Sequence, residues 1–530
     1  MTAVSPLRRA LVSVSDKTGL EVLARMLVDA RMEVLSTGGT ASALVEQGVA
    51  VVPVAEYTGA PAILGGRVKT LHPKIHGGIL AKPTAEHEAE LARHAIPAID
   101  LVVVNLYPFR RTIADPTCTF ADAIENIDIG GPTMVRAAAK NWERVTVVVD
   151  PADYAVLAEA VAAHGGVPAE LRRALARKAF AHTASYDAAI AEYLAGFADD
   201  GTPAPALDVP GFALVGGARR GELRYGENPH QPAAFMPGRG PHDAPGLDAA
   251  EQLQGKPLSY NNLLDADAAL GLVRELGELG PAAVVVKHAT PCGVAVGASQ
   301  DPIAEVAARA LAADAESAFG GIVALSRTCD GPTAAALAGT FLEVVLAPAF
   351  TDEARAALAK KTNLRLLVVP AIDRVPATAP LRVRSIAGGL LVQREDRRVV
   401  ALRDAELVTG GALPPALSRE LEIAWRTVVH VRSNAIVLTK DGTTVGIGGG
   451  QTSRVEAVRQ ALARAGERAR GSVLASDAFF PFRDSIDAAA AAGVVAIVQP
   501  GGSVRDEESI AAAKEHGLVL LFTRERHFRH

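Results

Sequence analysis

Cysteine is scarce in this chain: Cys118, Cys292 and Cys329 are the only three in 530 residues. They are scattered and form no CxxC pair, which argues against a disulfide framework and against a thiolate zinc site. No uninterrupted apolar run reaches the roughly 18 residues needed to cross a bilayer. The opening stretch, MTAVSPLRRALVSVSDKTG, has no apolar core of signal-peptide length, so a cytoplasmic protein is expected. Excess positive charge is missing too. A formal net charge of -5 argues against a general binder of nucleic acid or membrane surfaces. Local clusters of Arg and Lys are therefore read first as sites for small ligands. None of the Gly-rich turns is a Walker motif, so a triphosphate is not implied.

What is present fits an ordinary soluble protein, with 49% hydrophobic and 21% charged residues. The length allows roughly two to four domains. Over the first 150 residues, short β-branched runs alternate with Ala-rich stretches of helical pattern. Strands are expected at Arg9 to Val14, Glu33 to Leu35, Val51 to Val54, Leu101 to Leu106 and Val145 to Val149. That alternation predicts a doubly wound, mostly parallel α/β sheet, in which ligands bind outside the carboxyl ends of the strands. Residues 151 to 194 read as helical. A Pro/Gly/Asp-rich stretch from Phe197 to Pro210 reads as a linker, and Met236 to Gly246 as a surface excursion. Beyond it the alternation resumes and contains a weak internal echo. Ala283 to Lys287 and Ala435 to Thr439 each lead into a Gly-rich segment, a helix, a small-residue turn and another strand. Two related α/β units are expected there.

The densest chemistry lies in GGRVKTLHPKIHGGIL, residues 65 to 80. Paired glycines let the backbone approach a ligand, and Arg67 and Lys69 bring positive charge to the same place. SVSDKTG (13–19) and STGGT (36–40) supply hydroxyls and free amides at strand-to-helix turns, a setting that binds phosphate or merely caps a helix. Asp128 and Lys140 add a carboxylate and an amine twelve residues apart, and Asn105 and Tyr107 an amide and a phenol at a strand end. His72 and His76 have the i,i+4 spacing of a metal pair, but without a helical context or carboxylate partner no metal is expected.

Together with LRYGENPHQ (223–231), LSYNN (258–262), VVKHATPCGVA (285–295), SAFGGIVAL (317–325), RSNAIV (432–437), SDAFFPFRD (476–484) and the terminal RHFRH, these motifs resemble the bifunctional purine-biosynthesis family. That family joins an AICAR (aminoimidazole carboxamide ribonucleotide) formyltransferase to an IMP cyclohydrolase, and the resemblance covers essentially the whole chain. It implies a methylglyoxal-synthase-like cyclohydrolase domain at 1–200 and a formyltransferase domain at 205–530 built of two cytidine-deaminase-like units. The zinc signature of the deaminases is missing, so deamination by a metal-bound water is not expected.

The resemblance carries roles onto named positions. Nucleotide binding in the first half falls to Ser15, Asp16 and Lys17, Thr37, Gly38, Gly39 and Thr40, Arg67, Val68 and Thr70, Val104, Asn105 and Ile129. Lys69, Tyr107, Asp128 and Lys140 are implied in ring closure, with Lys140 transferring the proton. In the second half, His288 is implied as the base and Lys287 as the charge that stabilises the transition state. Arg224, Tyr225, Gly320, Glu343, Asn434, Phe479 and Arg526 match nucleotide positions, and Arg454, Asp484, Ser503 and Val504 match folate positions. Glu343 stands where some members have Asp, Thr290 where Asn or Ser is commoner, and Gly449 where Ala is. The co-substrate implied is 10-formyltetrahydrofolate, with AICAR and FAICAR, its formylated product, as small-molecule partners and a homodimer as the assembly. Two other readings are a nucleotide sensor without catalysis and an enzyme with one live domain.

Overall fold

The computed structural model describes residues 4–198, 202, 221–237, 246–376, 379–396 and 401–530. The chain divides into two compact units, Met1–Ala218 and Arg219–His530. The linker read at 197–210 and the excursion read at 236–246 lie almost wholly outside the described residues.

The first unit is a five-stranded parallel sheet. Its strands are β1 (Arg9–Val14), β2 (Glu33–Ser36), β3 (Val51–Pro53), β4 (Leu101–Asn105) and β5 (Thr146–Val148), in the order β3-β2-β1-β4-β5. One face packs on α1 (Leu20–Asp29), α2 (Gly38–Glu46) and α5 (Tyr154–His164); the other on α3 (Pro73–Leu80), α4 (Gly130–Lys140) and α6 (Ala169–Leu194). All five residues of β4 are buried, which explains its unbroken apolar run. The chain winds outward from β1 and then crosses back to β4, so the switch point lies between the ends of these two strands. The 151–194 stretch is two helices separated by a short strand, because Gly165 in left-handed conformation ends the first.

The second unit holds a twelve-stranded mixed sheet. Its first half contributes β6 (Glu251–Gln254), β7 (Ala282–Lys287), β8 (Thr290–Val296), β9 (Gly321–Leu325), β10 (Leu342–Ala347) and β11 (Arg365–Val368). Its second half contributes β12 (Glu406–Leu407), β13 (Ile436–Lys440), β14 (Thr443–Gly448), β15 (Val473–Ser476), β16 (Ala496–Gln499) and β17 (Val519–Phe522). The order is β6-β11-β10-β9-β7-β8-β14-β13-β15-β16-β17-β12. Each half therefore repeats the other: a central antiparallel hairpin, three further strands, and a short antiparallel edge strand. Helices α7 (Tyr260–Gly277) and α11 (Pro415–Val428) cover one face. The other face carries α8 (Ile303–Ala313), α9 (Gly331–Ala338) and α10 (Asp352–Leu358) in the first half. The second half places α12 (Arg454–Ala465), α13 (Asp484–Ala491) and α14 (Asp506–Glu515) there.

The strand-and-helix echo read in the sequence recurs in the structure, and the Gly-rich segments within it are strands β8 and β14. Their glycines are packing residues. A Cβ on Gly293 would enter the carbonyl of Ala310 in α8, and one on Gly446 or Gly448 the carbonyls of Ala461 or Ala457 in α12. Close helix-on-strand approach demands glycine there.

Candidate active sites

In the first unit the switch point is tied by one side chain. Asn105 Oδ1 accepts hydrogen bonds from the amides of Ser15 (2.6 Å) and Asp16 (2.9 Å), while Ser15 Oγ donates to the Leu106 carbonyl (2.7 Å). The loop after β1 is thereby fixed against the end of β4. Beside it, α2 starts at Gly38 and Gly39 with no side chain capping its first amides. Thr40 is turned inward, its hydroxyl donating to the Val14 carbonyl at 2.9 Å. Free amides at a helix start, next to exposed Lys17 and Ser15, are a setting chemically suited to an anion at the strand ends.

The 65–70 loop joins the same edge. The Thr70 hydroxyl lies 2.8 Å from where a Cβ of Gly130 would be, so this loop abuts the start of α4. Lys69 folds back over Gly66, where a Cβ would come within 2.9 Å of its Cε, so the missing side chain leaves room for it. Arg67, placed by sequence on the ligand, is ion-paired with exposed Glu125. Val104 is buried in the core, so only its main chain can face a ligand. Val68 bridges Ile63 across the loop, and Ile129 is exposed. Asp128 accepts from the Gly131 amide at 2.8 Å, and the Tyr107 amide also bonds to it. Burial pushes its carboxyl above the ordinary range, and those two amides partly offset the shift. Its own amide donates to the Tyr186 hydroxyl at 2.8 Å, a support that no motif announced.

Gly131 is what lets Asp128 sit there. A Cβ at that position would collide with the Asp128 carboxylate and with Leu106. Gly131→Ala is expected to displace the carboxylate and destabilise the unit by about 1–3 kcal/mol through overpacking. A thermal melt together with a ring-closure assay checks this.

Lys140 is not brought into this cluster. It is exposed at the last position of α4, whose first turn holds Asp128. Eleven helical residues span roughly 15 Å, so twelve positions in sequence became opposite ends of the sheet. The neighbouring Asn141 and Arg144 bond to Ile79, Ala81 and Asp100, at the amino ends of the strands. The histidine pair does have a helical context, contrary to the sequence reading. His72 caps α3, its Nδ1 accepting from the Lys74 amide. His76 is half-buried, with its pKa lowered by desolvation. No cluster with metal-binding composition occurs among the described residues.

In the second unit, strand polarities send every implied residue to one edge of the sheet. Lys287 and His288 close the β7–β8 hairpin as it turns, with Lys287 Nζ donating to the Phe319 carbonyl at 2.6 Å and lying against Gly320. Glu343 accepts from Arg365 at 2.5 Å. Arg365 is buried and also donates to the carbonyls of Lys256 and Pro257. That segment in turn holds Arg224 and Tyr225, through Arg224 N to Leu258 O and Tyr260 N to Tyr225 O. Neither Arg365 nor Asp265, whose carboxylate accepts from the His288 and Ala289 amides, was found by motif reading. Both sit inside ordinary apolar-patterned elements.

A second group gathers around β13, β15 and the C-terminal segment. Asn434 donates to the Gln451 carbonyl at 2.8 Å. Arg454, itself buried, pairs with buried Asp477, which also accepts from the Ala435 amide. Phe479, Asp484, Ser503, Val504 and Arg526 follow at the ends of β15, β16 and β17. This group lies three or more strands from β7, about 14 Å or more at 4.8 Å per strand, and is not gathered with His288 in one pocket. Between the groups a cavity of about 1040 Å³ runs from Lys287, His288 and Cys292 to Arg432, Gly449 and Arg464. Burial pushes the Cys292 thiol up to about 12, so it is no nucleophile at neutral pH. Gly449, where alanine is the commoner choice, is explained locally: a Cβ there would strike the Val431 side chain.

Two family models match the chain, the larger of them running across the boundary between the two units. The AICARFT/IMPCHase bienzyme family matches residues 138–464, and the MGS-like domain family matches residues 19–133. A protein of Desulfitobacterium hafniense described as "Bifunctional purine biosynthesis protein PurH" is 53% identical over 524 residues, covering 99% of this chain and 100% of its own. Proteins of the same description from Acidithiobacillus ferrooxidans (54% over 530 residues, 98% and 99% covered) and Halalkalibacterium halodurans (52% over 525 residues, 99% and 100% covered) are similar to it as well.

Proposed function

Because this chain belongs to the AICARFT/IMPCHase bienzyme family and carries both its activities, we propose that residues 1–200 close FAICAR to IMP and residues 205–530 transfer the formyl group. The donor is 10-formyltetrahydrofolate and the acceptor AICAR. In ring closure, a carboxamide nitrogen attacks the formyl carbon of the same molecule and water is lost. An amide nitrogen is a weak nucleophile, so a base and an acid must move protons. The phosphate rests on the free amides of α2 and the loop after β1. Lys69 faces the developing oxyanion, and Tyr107 and Asp128, joined through the Tyr107 amide, orient the reacting groups.

Formyl transfer starts from an amine conjugated with its ring, hence weakly nucleophilic. His288 takes the proton and Lys287 stabilises the charge that forms. The observation that carries this reading is the His288 turn, which lines the cavity together with Lys287, itself lying against Gly320. Dehydration to an aromatic ring drains the product of the transfer, which gives a physical reason for keeping both activities in one chain.

The working assembly is a homodimer, and the protein acts in the cytoplasm. Lys140 stands too far from Asp128 to serve its own chain's site, and the residues around Asn434 and Arg526 lie strands away from His288. A second copy supplies what each site lacks. The test uses the full-length protein: tetrahydrofolate release and IMP absorbance followed together, starting from AICAR. Both signals are expected. Ligand binding with neither signal would favour a sensor, and one signal without the other would leave a single live domain.

A further inference from the structure

The turn that presents His288 is built from residues poorly suited to it. Lys287 pairs with Thr290, leaving His288 and Ala289 as a two-residue hairpin loop with φ of 55° and 56°. Such loops need left-handed conformation at both central positions, which favours Asn-Gly or Asp-Gly. A Cβ at each position makes that conformation unfavourable. What opposes it is the carboxylate of Asp265 on α7. Its Oδ1 accepts from the Ala289 amide at 2.6 Å and its Oδ2 from the His288 amide at 3.3 Å.

The second half of the unit supplies an internal comparison. There Lys440 pairs with Thr443 around Asp441 (φ 52°) and Gly442 (φ 68°). Glu420 accepts from the Gly442 amide at 2.6 Å. Asp265 and Glu420 stand at the same distance from the first residues of their helices, Tyr260 and Pro415. Lys440 Nζ donates to the Arg470 carbonyl as Lys287 Nζ does to Phe319. The frame is thus the same in both halves. The second carries the residues this turn prefers and one amide bond; the first carries His-Ala and two.

We propose that Asp265 is a positioning residue for formyl transfer, its carboxylate holding the His288–Ala289 turn in the geometry that aims the imidazole at the acceptor amine. This rests on the assignment of His288 as the base. Without the carboxylate the turn relaxes, and a displacement of about 1 Å at a reacting group costs roughly a hundredfold in rate.

The experiment measures kcat for formyl transfer, AICAR affinity by titration, and ring closure in the same full-length protein. Asp265→Ala should lower kcat by about a hundredfold, leaving AICAR affinity within a few-fold and ring closure unchanged. Asp265→Asn keeps one acceptor oxygen and should fall between, which also covers a poorly folded alanine variant. Adding Ala289→Gly to Asp265→Ala should recover at least about tenfold, because glycine takes positive φ without help. A wild-type kcat in both Asp265 variants overturns the inference. So does a loss that Ala289→Gly fails to recover, or one matched by an equal loss of affinity. His288→Ala separates the two levels: if it transfers formyl normally, the base assignment fails. If it is inactive while Asp265→Ala is normal, only the role of Asp265 fails.

Discussion

His288→Ala is expected to lower formyl transfer by at least about a hundredfold while leaving AICAR affinity within a few-fold. A base acts in the transition state, whereas binding is expected to draw on phosphate and ribose contacts, the part proposed for residues such as Arg224 and Arg526. Lys287→Arg should also be a poor substitute. Lys287 Nζ is fixed by the Phe319 carbonyl and lies 4.0 Å from where a Cβ of Gly320 would be, so a longer, planar guanidinium cannot occupy the same point. Ring closure should be untouched in both variants. Paired measurement of tetrahydrofolate release and IMP formation checks this, and a His288→Ala protein transferring formyl at the wild-type rate would show that another base does the work.

Lys69→Met and Lys140→Met should each reduce ring closure by about a hundredfold or more, with formyl transfer near wild type. The distance between Lys140 and Asp128 adds a sharper expectation. If each site takes Lys69 from one chain and Lys140 from the other, mixed dimers of the two variants contain one intact site. An equimolar, fully exchanged mixture of the two inactive proteins should then regain about a quarter of wild-type ring closure, by simple subunit statistics. No recovery after confirmed exchange would mean that both lysines serve the same chain, or that Lys140 has no part in the chemistry.

Much of this architecture is legible in the sequence because its signals are local. The buried run Leu101–Asn105 and the Ser/Thr/Gly turns after β1 and β2 give the parallel sheet directly. The repeat in the second unit is legible as an echo of strand and helix. What the sequence hides are features set by approach in space. Gly293, Gly446 and Gly448 look like loop residues because glycine is commoner there, and only the carbonyls of α8 and α12 reveal them as strand positions. Asp265, Arg365 and Asp477 act through main-chain amides, carbonyls or other side chains that are distant in sequence. No motif spacing announces such partners. Lys140 is the opposite case: a short separation in sequence became a long one in space because the intervening residues are helical.

The seam between the two halves of the large sheet is held differently from the ladders on either side of it. Main-chain pairing between β8 and β14 comes down to one register pair, Ala295 with Thr443. The Thr444 hydroxyl takes the place of a further ladder bond by accepting from the Val294 amide at 3.0 Å. Neighbouring strands within each half are joined by two to six such pairs. The cavity that begins at His288 draws its walls from both halves and so lies across the seam that has the fewest main-chain pairs. Arg464 and Arg468 of the second half reach across it to Asp314 and the Ala313 carbonyl. The two halves are therefore joined mainly by side chains and each closed by its own main-chain ladder, so the cleft is a junction of two half-sheets rather than a groove within one.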